Sequence, residues 1–166
     1  KQGPTGGRVV WEWHTWDHLI QDHDKKRANF GGVAAHPELI DTNGDPEDGL
    51  TGADWMHCNS IDYNAALDQI VLASPRFNEM WVIDHSTTIE EAKGHTGGRS
   101  GKGGDLLYRW GNPIVYRVGI ANDQLLFGQP DVQWSVPWLP GAGNFLVFNN
   151  GSGRTRAEFS SADEFT

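Results

Sequence analysis

The sequence predicts an all-β fold, part of a β-propeller with long loop insertions. The composition is the first observation: 21 glycines and 8 tryptophans among 166 residues favour tight turns and broad aromatic packing. The second is a series of short apolar runs joined by hairpin-length segments. The third is an internal repeat of strand-like segments, which is typical of tandem antiparallel units in a propeller. A β-sandwich with accidental internal similarity is the alternative.

The repeat has three parts. Residues 7–13 match residues 104–110 position by position in residue type. Two further matches are weaker, and they relate 60–63 to 131–134 and 68–72 to 143–147. The predicted order is therefore an outer strand of one unit, a complete unit and two strands of a third. Because a propeller closes with about four to eight blades, these two to three blades need further chain segments or other chains to close the ring.

One partial propeller domain over 1–166 is predicted, with four segments. The first has an outer strand at 7–13 and an ordered loop rich in His and Trp; the second is a turn-rich insertion with a helical turn near 37–40. The third is a complete blade that also holds a helix start at 86–92 and a glycine loop, and the fourth is a partial next blade with a polar, irregular tail after Arg154. The segments are 1–24, 25–53, 54–110 and 111–166, with later strands at 60–63, 69–73, 79–84, 105–110, 132–134 and 144–148.

Charge and cysteine content exclude several classes of function. The net charge is 13 − 22 = −9, so the chain lacks the basic face that general nucleic-acid or anionic-membrane binding requires. No apolar run approaches the ~20 residues of a membrane helix, and no signal peptide is visible, so we expect a processed chain or a piece of a longer one. Cys58 is the single cysteine, which excludes an intrachain disulfide and a cysteine-based zinc site. A Cys58–His57 nucleophile pair is disfavoured because neighbouring strand side chains point to opposite faces.

Three segments suggest ligands but each has a plainer interpretation. The glycine loop 94–104 fails the P-loop pattern; it forms either an anion nest or a tightly packed connection that needs positive φ. Residues 41–45 have calcium-loop spacing, but Pro46 and Gly52 exclude an EF-hand, which leaves a looser site with Asp45, Glu47 or Asp48, or a solvated acidic turn. The segment 14–18 holds two histidines without a clear third ligand, so packing is expected there and no metal site is predicted.

The strongest candidate site residue is His57, in the segment 54–63 just before a strand. An imidazole at the mouth of a strand, with a rigid sheet behind it, is well placed to act on a ligand, although a structural histidine is an equal alternative. Arg154 follows another strand and carries a donor fork suited to sulfate or phosphate. If the units are radial, the loops that carry His57 and Arg154 converge at one end of the channel.

Five segments together resemble bacterial arylsulfotransferases: 11–14, 54–60, 94–110, 127–131 and 147–151, with Arg154 completing an Asn-Gly-x-x-Arg element. The resemblance implies a six-bladed β-propeller in an exported, periplasmic or secreted enzyme. It also implies transfer of a sulfuryl group from a phenolic sulfate ester to a phenol, through a sulfohistidine and without a cofactor.

The resemblance also assigns roles to single residues. His57 and Arg154 match catalytic groups that hold the sulfuryl group, and Asn59 joins them in substrate binding. Pro130 stands where the family usually has histidine, and proline offers no donor there. The nucleophilic histidine is expected in a later blade, beyond Thr166, so residues 1–166 alone are expected to be inactive. The alternative is a non-catalytic propeller module for binding or assembly, closed by further segments or a homo-oligomer.

Overall fold

A computed structural model describes residues 6–43, 54–155 and 157–166. Antiparallel strands dominate it, and the prediction of an all-β fold is confirmed. None of its helices is both long and apolar enough to cross a membrane in the part of the chain described. The strands are β1 Ser60–Asn64, β2 Gln69–Ser74, β3 Glu79–Asp84, β4 Tyr108–Trp110, β5 Val132–Trp134, β6 Phe145–Asn149 and β7 Ser161–Phe165. The helical elements are α1 Ile89–Ala92 and the 3-10 turns Thr15–His18, Val33–Ala35, Pro113–Tyr116 and Ala121–Asp123.

The strands form two meandering sheets, β1-β2-β3-β4 and β5-β6-β7. In the first sheet each hairpin loop ends in a residue with left-handed backbone, Asp68 or Asn78, both with φ of +55°. Asp and Asn tolerate this conformation better than most side chains, which explains their place at these two turns. The Asn64 carboxamide oxygen also accepts the amides of Ala66 and Leu67 at 3.1 Å and so closes the first turn. The predicted strands 60–63, 69–73 and 79–84 are confirmed.

The second sheet stacks against one face of the first. Val71 and Val82 of the first sheet belong to the same buried cluster as Val132 and Val147 of the second. Two hydrogen bonds set β5 beside β1: the Val132 amide donates to Ser60 Oγ, and the Trp134 amide donates to Asp62 Oδ2, both at 2.9 Å. Because the partners advance together along the chain, β5 runs parallel to β1, and the two sheets share the same two ends.

The other face of the first sheet is covered by the N-terminal segment. Trp81 and Ile83 belong to a second buried cluster with Ile40, and Trp11 and Trp13 pack against its edge. β3 is therefore buried along its whole length. Complete burial of each such large apolar side chain stabilises the fold by about 1.5–3 kcal/mol, so β3 is the centre of the core.

An ion pair between Glu79 and Arg109 crosses this second face. Arg109 Nε donates to Glu79 Oε1 at 3.0 Å, and Nη2 bonds the second carboxylate oxygen, Oε2. Nη1 donates to the Pro37 and Leu39 carbonyls at 3.2 and 3.0 Å, and so ties the N-terminal segment to the sheet. Burial raises the pKa of the Glu79 carboxyl, and the adjacent Arg109 guanidinium opposes that rise.

Several element predictions are wrong. Residues 7–13 are not a paired strand, because no strand among the residues that the structure describes bonds their backbone. The Trp11 and Trp13 indoles donate instead to Thr87 Oγ1 and the Gly104 carbonyl. The tail is not irregular throughout, because its last part, β7, pairs with β6 along its length. The strand predicted at 105–110 begins only at Tyr108, and the helical turn predicted near 37–40 lies upstream, at Val33–Ala35. The helix start is confirmed, with Thr88 and Glu91 forming a capping box.

Candidate functional site

Four segments meet at one end of the two sheets. His57 and Asn59 immediately precede β1, and the β2–β3 hairpin 75–78 turns at that same end. Residues 128–131 precede β5, which runs parallel to β1, and the β6–β7 loop that carries Arg154 follows β6. The topology therefore brings the loops of His57, Asn59 and Arg154 to a common end of the sheets.

His57 lines a cleft of about 540 Å³ at this end, together with His14, Trp16 and Trp55. Its backbone is left-handed, with φ of +45°. A residue other than glycine held in this region costs on the order of 1–3 kcal/mol, a strain that clusters at functional sites. The imidazole side chain is 51% exposed, so it is accessible to a ligand.

Asp54 orients the His57 ring. Its Oδ2 lies 2.6 Å from His57 Nδ1. A carboxylate only accepts, so Nδ1 carries the proton of this bond, and Nε2 remains without a hydrogen-bond partner among the described residues. A neutral ring held this way presents a basic nitrogen, and a protonated ring presents a donor. Both forms suit sulfuryl chemistry.

Arg76 is a candidate site residue that the sequence patterns did not indicate. Its Nη2 lies 3.8 Å from the same Asp54 oxygen that holds His57, and its side chain is 57% exposed. The available signal was its place in the β2–β3 hairpin, whose turn faces the same end as the start of β1. Arg76 and His57 therefore put two donor groups around one carboxylate.

Two indoles form an aromatic wall of the cleft. The Trp16 and Trp55 rings lie 5.4 Å apart at 54°, and Trp16 is 68% exposed. Trp55 is supported from below by the buried Phe77 ring, 6.1 Å away. Met56 is also fixed, because its carbonyl accepts the Ser74 hydroxyl at 2.7 Å. An exposed indole on a fixed support is a suitable platform for a planar aromatic ring.

Arg154 lies in a different cleft, of about 390 Å³, with Trp110 and Phe127. Its Nη2 donates to Ser161 Oγ at 3.0 Å and lies 3.8 Å from Asp163 Oδ2. Its guanidinium also stacks 4.5 Å from the Phe159 ring centroid, and its buried Nε has no hydrogen-bond partner within the described part of the chain. Among the described residues no hydrogen bond or ion pair joins Arg154 to His57, so the two share an end of the sheets but not a cleft.

The other candidate residues near His57, namely Asn59, Cys58 and Pro130, differ in exposure and in what they can contribute. Asn59 is exposed. Cys58 lines the His57 cleft and is exposed at its surface, yet desolvation by its surroundings raises the pKa of its thiol to about 11. The thiol is therefore protonated near neutral pH, which argues further against a cysteine nucleophile. Pro130 follows Gln129, whose buried carboxamide donates to the Glu79 carbonyl at 2.7 Å.

The glycine loop holds the protein's own carboxylates. The Ser100 amide donates to Asp84 Oδ2 at 2.9 Å, and a Cβ at Gly97 would stand 2.5 Å from the Glu91 side chain. Gly97, Gly98, Gly101 and Gly103 all have positive φ. The interpretation as a tightly packed connection is therefore confirmed.

The proposed calcium ligands Asp45, Glu47 and Asp48 lie outside the described residues. Asp41 is described and fully buried, and its Oδ2 accepts from Arg117 Nη2 at 3.0 Å. A different group with metal-ligand chemistry is formed by His18, His95 of the glycine loop and Asp105.

Comparison with known families gives one match. The family model described as Arylsulfotransferase (ASST) matches residues 4–164, nearly the whole chain. No curated protein and no solved structure matches significantly.

Proposed function

We propose, because the chain belongs to the arylsulfotransferase family, that its His57 cleft binds a phenolic sulfate ester whose sulfuryl group is transferred to a phenol. The observation that carries this proposal is the cleft itself, where an oriented imidazole stands beside an exposed indole platform. The Trp16 ring takes the phenol ring of the ester, and the His57 Nε2 faces its sulfuryl oxygens.

The role proposed for this cleft is to stabilise negative charge on the sulfuryl group, and no covalent intermediate is assigned to it. Sulfuryl transfer, like phosphoryl transfer, is accelerated by donors placed around the equatorial oxygens. The protonated His57 ring serves as one donor through Nε2 and Arg76 as a second, with Asp54 beside both. In the family resemblance Arg154 steadies the same charge, and Asn59 adds an amide donor at the start of β1.

The fold part of the proposal is a six-bladed propeller in which the two sheets are consecutive blades. Their parallel inner strands, β1 and β5, support it, because inner strands of neighbouring blades run side by side around an axis. Further blades bring Arg154 and the nucleophilic imidazole of the family toward the channel. The family resemblance supports the further proposal that the protein is exported to the periplasm or outside the cell.

Binding of an aryl sulfate tests the cleft directly. Titration with 4-nitrophenyl sulfate should quench the tryptophan fluorescence of the chain in a saturable manner, because Trp16 is exposed in the cleft. His57→Gln should weaken binding about 10- to 100-fold, since a charge-assisted hydrogen bond contributes about 1.5–3 kcal/mol. His36→Gln, at an exposed histidine paired with Glu38, is the matched control and should leave binding unchanged. Equal affinity of His57→Gln and the unmodified chain would contradict the proposed site.

Turnover is a separate question. We expect residues 1–166 alone to release no 4-nitrophenol from 4-nitrophenyl sulfate in the presence of an acceptor phenol. Pro130 removes one family donor, and the resemblance assigns the nucleophile to none of these residues. Measurable transfer by the purified 166-residue chain would refute this expectation.

A second function, a non-catalytic binding or assembly module, is favoured by one observation. Arg154 is held by Ser161 and by the Phe159 ring in a cleft that His57 does not line. In that case aryl sulfate should bind no better than 4-nitrophenol, because the sulfuryl group finds no donors. A clear preference for the sulfate ester distinguishes the transferase site from this alternative.

A further inference from the structure

We propose that His18, His95 and Asp105 form a binding site for a divalent transition-metal ion, with Zn²⁺ as the best-matched ion. The residues come from three separate segments: the 3-10 turn Thr15–His18, the glycine loop and the approach to β4. Each offers one ligand atom, and the three atoms lie within 4.8 Å of one another.

Both imidazoles converge on a single carboxylate oxygen. His18 Nδ1 lies 2.9 Å from Asp105 Oδ1, and His95 Nδ1 lies 2.8 Å from the same oxygen. The rings meet edge to face, with centroids 5.9 Å apart. Two nitrogens and one carboxylate oxygen in this arrangement form a ligand set that zinc and related first-row ions accept.

The hydrogen bond at His18 Nε2 determines whether Nδ1 has a lone pair for a metal ion. His18 Nε2 lies 2.9 Å from the Ala92 carbonyl oxygen, which only accepts, so Nε2 must carry a proton. In a neutral ring Nδ1 then has a lone pair directed at the lone pairs of Asp105 Oδ1. A cation between them removes this repulsion. A metal-bound histidine that donates its other N–H to a backbone carbonyl is the usual supporting arrangement at metal sites.

The surroundings hold His18 rigidly. Its ring is fully buried and stacks parallel to the Trp13 indole, with centroids 5.5 Å apart and planes within 3°. Trp13 Nε1 in turn donates to the Gly104 carbonyl at 2.7 Å. A Cβ on Gly104 would stand 2.6 Å from His18 Nε2 and 2.1 Å from the Ala92 oxygen, so only glycine permits this approach. Ligands fixed before an ion binds lower the entropic cost of binding.

The third ligand provides access. The His95 side chain is 60% exposed, whereas those of His18 and Asp105 are at most 8% exposed. An ion can therefore enter from the solvent side without opening the core. With metal–ligand distances of about 2.0–2.1 Å, tetrahedral binding requires each of the two imidazole nitrogens to move only about 0.5 Å away from Asp105 Oδ1. The exposed His95 ring can make that adjustment.

A bound ion would cross-link the N-terminal segment to the β3–β4 connection. Saturation at about 100-fold above Kd should therefore raise the Tm of this 166-residue chain by roughly 5–10 °C.

The test uses the intact chain, stripped with a chelator and then dialysed. Co²⁺ should bind with a 1:1 stoichiometry and give the intense visible absorption of a low-coordinate cobalt centre, and Zn²⁺ should displace it. Calorimetry should show Zn²⁺ binding that His95→Gln and Asp105→Asn each weaken by about 100-fold or more, since loss even of an outer partner costs 10–100-fold. His36→Gln removes an exposed histidine that also pairs with a carboxylate, and it should bind Zn²⁺ as the unmodified chain does.

Circular dichroism of each variant separates loss of the site from loss of the fold. His95 lies at the surface, so His95→Gln should fold normally and remains informative if Asp105→Asn does not. The proposal is overturned if the unmodified chain binds neither ion, or if folded His95→Gln binds Zn²⁺ with unchanged affinity. It is also overturned if Zn²⁺ leaves the Tm unchanged while only pH alters it, because a proton alone would then satisfy the cluster.

Discussion

Replacement of Arg109 with methionine should destabilise the protein severely. The Arg109 side chain is 5% exposed, and that of Glu79 is completely buried, so the substitution leaves a buried carboxylate without its cation. Removing one partner of a buried ion pair costs about 3–5 kcal/mol. The Pro37 and Leu39 carbonyls also lose their donor, which adds roughly 1 kcal/mol, for a total of about 4–6 kcal/mol.

Urea unfolding followed by tryptophan fluorescence measures this change. The double variant Glu79→Gln/Arg109→Met removes the orphaned charge and should recover about 1–3 kcal/mol relative to Arg109→Met. Lys93→Met is the control, because the Lys93–Glu90 pair is exposed and its loss should change stability by less than about 0.5 kcal/mol. A free energy of unfolding for Arg109→Met within about 1 kcal/mol of that of the unmodified chain would show that Glu79 does not depend on Arg109.

The pH dependence of Arg109→Met supplies an independent check. Burial raises the pKa of Glu79, and in the variant no guanidinium opposes that rise. A carboxyl whose folded pKa is raised contributes stability below its unfolded pKa, and this contribution is lost as the pH rises through the folded value. The deficit of Arg109→Met should therefore shrink from neutral pH toward pH about 4.5, and a deficit independent of pH would contradict the assignment to Glu79.

Three further predictions concern single residues. Burial opposes ionisation of Asp84, but the hydrogen bonds from Ser86 and Ser100 outweigh it and lower the pKa of this carboxyl. The contribution of Asp84 to stability is therefore complete above about pH 4 and is lost as the pH falls through the lower folded value. Thermal melts of Asp84→Asn should show a weaker acid dependence than those of the unmodified chain, and an identical dependence would contradict this. In urea unfolding, Gly103→Ala should lower the free energy of unfolding by at least about 2 kcal/mol more than Gly101→Ala does. Both glycines have positive φ, but only at Gly103 would a Cβ meet backbone, 2.3 Å from the Gly94 oxygen. Equal losses would count against tight packing of the loop. The Cys58 thiol, with a pKa of about 11, should react with iodoacetamide at pH 8 roughly 100-fold more slowly than a free cysteine, and a rate near that of the free amino acid would show that the thiol is not desolvated.

The predictability of the fold depends on what each strand buries. β2 and β3 carry apolar runs that are buried over most of their length, so the hydrophobic pattern of the sequence predicts both strands. β7 has mostly polar residues, since it is a short strand at the edge of its sheet, and its burial alternates only between half-buried and exposed. Its position is fixed by pairing with β6 and by the Phe165 ring on Trp110, 3.9 Å apart, neither of which local composition shows.

The two candidate sites differ in the same way. His57 and Asp54 lie three residues apart, so the motif already placed their side chains near each other. Arg76 joins them through a hairpin, and His95 and Asp105 meet His18 across about eighty residues of chain. Spacing in the sequence does not indicate contacts between residues so far apart along the chain. The strand predicted at 7–13 is wrong because its tryptophans bond through their indoles and not through a strand ladder.

We propose that the His57 imidazole binds the sulfuryl group of a phenolic sulfate and is not the nucleophile that accepts it. The most direct measurement is the ¹⁵N chemical shift of the His57 ring nitrogens during titration of the labelled chain with 4-nitrophenyl sulfate. We expect a saturable shift at His57 Nε2 that 4-nitrophenol does not produce, with the ring of His36 unaffected. Shifts confined to residues around Arg154, with the His57 ring unchanged, would contradict it.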